Sequence, residues 1–277
     1  MNPHEYCQTK AAGSGSSFYY SFLFLPPERR RAITALYAFC REVDDVVDEC
    51  TDASVAQTKL AWWRKEVAAA YHGAPQHPVA RALAEIAPRF NLAEARLLEI
   101  IDGMQMDLEF NRYPDFETLR LYCHRVASVV GLLSAEIFGY RDRRTLEYAA
   151  DLGLAFQLTN IIRDVGEDAR RNRIYLPLDE IARHGVSEAD ITEARETDGF
   201  RHLMEFQIER ALGYYRDAFA KLPANDRRAQ RPGLIMAAIY QTTLDEIRRD
   251  GCRVLKQRVS LTPIRKLWIA WKTWIKG

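Results

Sequence analysis

Two short stretches place carboxylates on helices that would otherwise be apolar. The first is YAFCREVDDVVDECTD, residues 37–52, and the second runs from Gln157 through NIIRDVGEDARRNRIYLP, residues 160–177. At about 100° per residue, Tyr37, Arg41, Asp44 and Asp48 fall within roughly 60° of one another, with Asp45 beside them. Gln157, Asn160, Asp164 and Asp168, spaced +3, +4 and +4, form a second stripe of the same kind. The opposing positions are core-forming: Ala38, Val43, Val46 and Val47 in the first stretch, Leu158, Ile161, Ile162 and Val165 in the second. Like charges at i, i+4 destabilise an exposed helix by a few tenths of a kcal/mol, and cost far more when desolvated. Both acid pairs therefore need a neutralising partner.

The donor types narrow that partner. The stripes are read as offering oxygen and no His or Cys, which suits a hard cation and disfavours zinc or copper. Mg²⁺ is commonly held by one or two carboxylates together with water and substrate phosphate oxygens. A lone D-x-x-x-D is most often a solvated helix face. Here two copies lie 120 residues apart, each on a helix with a buried-looking opposite side and each with arginines nearby: Arg41 for one, Arg163, Arg170, Arg171 and Arg173 for the other. This pattern predicts two carboxylate pairs facing each other across a helical cavity and holding a metal–diphosphate group.

The elements that must position these stripes are helical throughout. Glycines (14) and prolines (11) sit mostly in short breaks, separating segments of 3.6-residue periodicity over 29–50, 55–71, 92–110, 116–138, 143–163, 200–222 and 232–257. No strand-type alternation, nucleotide-binding glycine loop, repeat or low-complexity linker is evident. The prediction is one all-α domain over residues 1–277, a bundle of about eight or more helices. Lys plus Arg exceed Asp plus Glu by one, 39 against 38, so net charge points to no nucleic-acid partner. The five cysteines are scattered, which argues for reduced thiols and against a zinc site or disulfide frame. The N-terminus lacks a signal-peptide core, and no run of about 18 apolar residues is read as a membrane span, so a cytoplasmic protein is expected.

Y-A-F-C-R-x-x-D-D-x-x-D (from Tyr37) and Q-L-T-N-I-I-R-D-V-G-E-D-x-x-x-x-R-I-Y-L-P (from Gln157) resemble the signature stretches of the squalene and phytoene synthase family over nearly the whole chain. The opening G-S-G-S-S-F-Y-Y-S-F-L-F-L-P is most similar to the members that form presqualene diphosphate in bacterial hopanoid pathways. The resemblance implies an isoprenoid-synthase helical bundle with a central cavity, and head-to-head condensation of two farnesyl diphosphates to presqualene diphosphate with loss of diphosphate. Mg²⁺, or Mn²⁺ in its place, is the implied cofactor; NADPH is not expected, and a separate squalene-forming enzyme would act downstream. Alternatives within the class are a full squalene synthase using NADPH and a phytoene or dehydrosqualene synthase. Outside it stand a non-catalytic prenyl-diphosphate-binding bundle and a diphosphate hydrolase.

Carried over by matching position, Asp44, Asp48, Asp164 and Asp168, with Asn160, would ligate the metal, and Asp45 and Gln157 lie beside them. Arg41, Arg163, Arg173 and Arg258 would contact diphosphate, with Ser17 and Phe18 at the entry flap. Tyr37, Tyr122 and Tyr240 match tyrosines lining the family's reaction centre, although Tyr37 and Tyr240 suit plain packing equally. One departure stands out: Ser14-Gly15-Ser16-Ser17-Phe18 lacks the basic residue that many relatives carry there. Expected cavity walls are Phe18, Tyr19, Phe22, Val47, Leu132, Leu133, Phe156 and Met236. Ser128 and the helix-interior Gly131 suit close approach of a substrate chain or of another helix.

From Arg253 to Gly277 there are seven basic residues and no acid. Thr262-Pro263 forms a helix start, and Ile264, Leu267, Trp268, Trp271 and Ile275 line one face of the helix over 262–276. Such a surface helix suits peripheral contact with the inner face of a cell membrane; packing on the bundle is the alternative.

Overall fold

The computed structural model describes residues 2–13 and 17–276, with only the backbone of Ser17, Tyr19 and Lys276. Helix follows helix: α1 (Pro3–Gly13), α2 (Ser17–Phe22), α3 (Pro27–Glu49), α4 (Ala53–His72), α5 (Pro78–Ile86), α6 (Glu94–Glu109) and α7 (Phe116–Cys123). A π-helical turn, His124–Ser128, leads into α8 (Val129–Phe138). Then come α9 (Arg144–Arg170), α10 (Leu178–Arg183), α11 (Glu188–Thr192), α12 (Asp198–Lys221), α13 (Arg231–Arg249) and α14 (Pro263–Lys276). No strand occurs among the described residues, apart from one isolated bridge between Arg112 and Ile174.

Local chemistry sets the boundaries. Pro27 opens α3, where a missing N–H costs nothing. The Asp52 side chain caps α4 by accepting from the Ser54 and Val55 amides. α9 runs past the expected end at residue 163 to Arg170 and closes where Asn172 takes a left-handed φ of 59°. α13 stops at Arg249, short of the expected 257, because Gly251 and Cys252 turn to positive φ (74° and 60°).

Two apolar cores flank a cavity. One gathers around α9, α12 and α13, and the other around α3, α4, α5, α6 and α8. Phe18 and Val126 pack against both, at the seam. The stretch 116–138 is long and apolar enough to cross a membrane (mean hydropathy 1.3), contrary to the expectation that none exists. However, Cys123, Val129, Leu133, Ala135 and Ile137 on it are fully buried, so it is a core element of the bundle.

The π-turn and Gly131 of that stretch, with Gly153 of α9, bring α8 onto α9. A Cβ on Gly131 would lie 2.2 Å from the Ala149 carbonyl oxygen, and one on Gly153 2.4 Å from that of Ala127. Of the two readings left open for Gly131, close helix packing is found, and Gly131 also lines the cavity. We expect Gly131→Ala or Gly153→Ala to lose about 1–3 kcal/mol in denaturant unfolding, since the obstacle is backbone. Gly213→Ala in α12, where a Cβ meets nothing nearer than an Arg216 guanidinium nitrogen at 3.7 Å, should gain up to about 1 kcal/mol.

Candidate active site

α3 and α9 both carry their acids near their C-terminal ends, Asp44 one turn beyond Cys40 and Asp164 one turn beyond Asn160, and both Cys40 and Asn160 line the cavity, so the two pairs stand at its mouth. On α3, Arg41 donates to Asp44 and to Asp45, each at 2.6 Å. Asp45 also receives the Lys10 ammonium at 2.8 Å, and Lys10 reaches Glu42 at 3.1 Å. A cation therefore arrives beside this cluster from α1, six residues before the flap position where the sequence lacks one; Ser14, Gly15 and Ser16 lie outside the described residues, as does the Ser17 side chain. Burial pushes the Asp44 carboxyl up to about 6, against the pull of Arg41 and with the push of Asp48.

Asp48 is held from across the mouth. Arg171 and Arg173, just beyond the end of α9, donate to it at 3.0 and 2.8 Å, and Arg173 also donates to the Val47 carbonyl. Arg170 turns away toward the Leu255 carbonyl. On α9, Asp164 pairs with Arg163 (2.8 Å at Nε) and with Arg258 from the loop before α14 (2.8 Å). Burial raises the Asp164 carboxyl, but these two arginines outweigh it and hold the group below its usual range. Asp168 has no arginine bonded to it among the described residues: burial, then the neighbouring Asp164, push it up to about 7 against the pull of Arg173 and Arg171.

A fifth acid, missed in the sequence, joins the two pairs. Asp107 of α6 accepts hydrogen bonds from the Tyr122 and Tyr175 hydroxyls, both at 2.8 Å. Burial drives it up to about 7 despite those bonds, and its charge acts on Asp168 while that of Asp44 acts on it. The signal was present: Leu97, Ile100 and Met104 form a buried stripe whose next position is Asp107. Tyr122 accordingly sits in this tyrosine–carboxylate cluster and does not line the cavity. Tyr37 lies in the cavity wall with its ring 5.6 Å from that of Phe18; Tyr240 is buried beside Arg163, 5.1 Å from Phe156.

Behind the mouth the cavity is apolar. Phe18, Phe22, Leu36, Phe156 and Met236 line it, with Tyr148 toward the N-terminal end of α9. Three of the expected wall residues do not: Val47 and Leu133 are buried in the core and Leu132 is absent from the lining, while the Tyr19 side chain lies outside the described residues. The walls missed come mainly from the π-turn and α9, Val126, Ala127, Leu152 and Gly153, since a periodicity that reads both sides of a buried helix as apolar does not say which side faces a void. Cys40, outside the acid stripe itself, also lines the cavity one turn before Asp44; burial pushes its thiol up to about 12 and keeps it protonated.

The donor set fits a hard cation. Its members are oxygen donors, burial raises both Asp168 and Asp44, whose one arginine Arg41 is shared with Asp45, and the buried Asn160 Oδ1 has no hydrogen-bond partner among the described residues. No three acid, His or Cys side chains among the described residues cluster tightly enough to hold an ion by themselves. Such a set would leave coordination positions to water and phosphate oxygens, the way Mg²⁺ is usually bound.

A family model described as squalene/phytoene synthase matches residues 11–265. The 15-cis-phytoene synthase of Synechocystis sp. is 35% identical in an alignment covering 99% of this chain and 85% of that one. A dehydrosqualene synthase crystallised with ligand superposes with a TM-score of 0.87 at 28% identity, over 98% of this chain and 95% of that one. Squalene synthase HpnC from Alicyclobacillus acidocaldarius gives 0.80 at 29% identity, over 90% and 94%.

The buried acids make stability depend on pH with a defined sign. Asp107 moves from an ordinary 3.8 to about 7 in the folded protein. Between these values the unfolded chain ionises while the folded one holds its proton, so stability falls as pH rises through that window and levels off above it. Asp44 and Asp168 act in the same direction. In urea unfolding of the free protein, Asp107→Asn should flatten the decline between roughly pH 4 and 7 by up to about 1.4 kcal/mol per unit. An unchanged slope would remove Asp107 from this account.

Proposed function

The chain belongs to the squalene/phytoene synthase family of head-to-head prenyl transferases, and from that footing we propose that it joins two allylic prenyl diphosphates through a cyclopropylcarbinyl diphosphate. The observation that carries this reading is the pair of facing carboxylate clusters at the mouth of an apolar, aromatic cavity. Relatives named phytoene synthase favour C20 substrates and phytoene as product, which reverses the order of the readings drawn from the sequence. Condensation of two farnesyl diphosphates to presqualene diphosphate is the second reading, favoured by the structural likeness to a dehydrosqualene synthase and a squalene synthase.

Asp44, Asp48, Asn160, Asp164 and Asp168 would hold the divalent cation that family members generally use, which when bound supplies positive charge to the leaving diphosphate. Arg173, Arg171, Arg258 and Arg163 are placed to exchange their present carboxylate partners for diphosphate oxygens. As the first substrate's C1–O bond breaks, its electron pair leaves with diphosphate, and these guanidiniums stabilise the charge that develops. Phe18, Phe22, Phe156 and Tyr37 exclude water from the allylic cation and present ring faces to it. The C2–C3 alkene of the second substrate attacks C1 of that cation, and loss of a proton from this same first-substrate C1 closes the cyclopropane, leaving the second substrate's C1 as the carbinyl carbon that still bears diphosphate. The titratable side chains in the cavity wall are Tyr37, Cys40 and Tyr148; burial raises the latter two, so released diphosphate is the better proton acceptor.

Purified protein incubated with geranylgeranyl or farnesyl diphosphate and Mg²⁺, with and without NADPH, decides the product by mass spectrometry. Phytoene from the C20 substrate without NADPH is expected; a C30 product still bearing diphosphate supports the second reading. Free prenyl alcohol without chain joining would overturn both. Asp44→Ala and Asp164→Ala should each lower turnover by about 10²–10³, and Arg173→Ala should act similarly on kcat/KM. Arg170→Ala, whose side chain points to Leu255, should have little effect.

A further inference from the structure

α14 is a helix with two apolar faces, and the bundle uses one. At about 100° per residue, Lys266, Ile269, Ala270 and Thr273 share a face. Ile269 and Ala270 on it are buried, the neighbouring Trp274 stacks on Phe24 at 5.0 Å, and Arg265 of α14 pairs with Glu246 of α13 at 2.7 Å. The diametrically opposed positions are Ile264, Leu267, Trp268, Trp271 and Ile275, and these large apolar side chains are 44% to 81% exposed. The alternative of packing on the bundle is therefore met by one face, while the other face is left exposed.

The surroundings of the open face are cationic. No Asp or Glu occurs from Gly251 to the C-terminus. Lys272 stands over the Trp268 ring at 4.7 Å, and both line a groove with Arg227. At the other flank Trp274 lines a depression with Arg29, Arg141, Arg228 and Arg231. The Arg231 guanidinium lies 4.9 Å over Trp274, and its Nε is buried without a partner among the described residues. The depression's one carboxylate, Asp226, is engaged by the Arg141 and Asp142 amides and the Thr145 hydroxyl. Phe138 and Pro232 line both this depression and the apolar cavity, so the closed end of the cavity adjoins the same surface.

We propose that the exposed face of α14 docks on an anionic lipid bilayer, with Lys272 and the arginines of the 227–231 segment against its headgroups. An aromatic–aliphatic stripe flanked by cations is the pattern of an interfacial helix. Charge selects this occupant over a second copy of the chain, which would set like cations against each other, whereas an anionic leaflet attracts each of them. The inference is independent of which prenyl diphosphates the cavity accepts.

The test is co-sedimentation of the full chain with vesicles of phosphatidylcholine plus phosphatidylglycerol, and with phosphatidylcholine alone. The protein should bind the anionic vesicles in a salt-sensitive manner, with a blue shift in tryptophan emission. Trp271→Glu with Ile275→Glu should weaken binding about tenfold or more, with circular dichroism and thermal midpoint unchanged to show an intact fold. Lys272→Gln should weaken it about fivefold, the equivalent of ~1 kcal/mol per basic residue near an anionic surface. Equal binding to neutral vesicles, retention by the folded double variant, or a solution dimer that this variant disrupts without any vesicle binding would each overturn the proposal.

Discussion

The structure depends on a repulsion that it does not fully relieve. Asp44 and Asp48 near the end of α3, and Asp164 and Asp168 near the end of α9, sit where the helix dipole is already negative. Asp107 adds a fifth carboxyl from α6. Burial disfavours charge on Asp44, Asp107 and Asp168 and raises their carboxyls to about 6, 7 and 7. Folding such a site is costly, so the rest of the bundle must be stable enough to impose it.

That stability comes from two cores that meet at the cavity without filling it. The close approach of Gly131 to Ala149 and of Gly153 to Ala127 locks α8 and the π-turn against α9 with almost no side-chain volume between them. The wall made this way is thin and rigid, and it leaves the space between α3 and α9 open. A π-turn at this point is in keeping with the habit of such insertions to occur beside functional sites. The acid pairs gain a fixed separation from helices anchored far from the mouth: Ala32, Ile33 and Leu36 at one end of α3, Tyr148 and Leu152 at the start of α9, all buried.

The acid stripes, the all-helical class and the start of α14 at Pro263 were legible because each is a local pattern, a periodicity or a cap. Of the three clustered arginines, Arg173 of the R-I-Y-L-P segment and Arg171 both reach Asp48, and Arg170 does not. Features made by packing were not legible. Lys10 meets Asp45 only because α1 lies against α3, and Tyr122 and Tyr175 converge on Asp107 from separate segments. The second face of α14 was invisible for the same reason: Ile269 and Ala270 look like ordinary helix residues until α13 and α2 are set beside them.

The arginines around the mouth resolve the electrostatic problem in a particular way. Asp48 is neutralised by Arg171 and Arg173 from the far side of the cavity, and Asp164 by Arg258 from the loop before α14. These pairs tie α3, α9 and the 252–262 loop together across the opening before any substrate is bound. They are partly solvated, so each contributes little net stability and can be exchanged. On the proposed reading, an arriving cation takes over the carboxylates while the diphosphate takes over the guanidiniums, so every charge changes partner and none is left bare. A site arranged in this manner binds neither half of the pair well alone: diphosphate without the cation draws the arginines off Asp48 and Asp164, and the cation without diphosphate leaves those arginines uncompensated. Coupling between the two then follows from charge balance in a buried mouth, and needs no moving lid to enforce it.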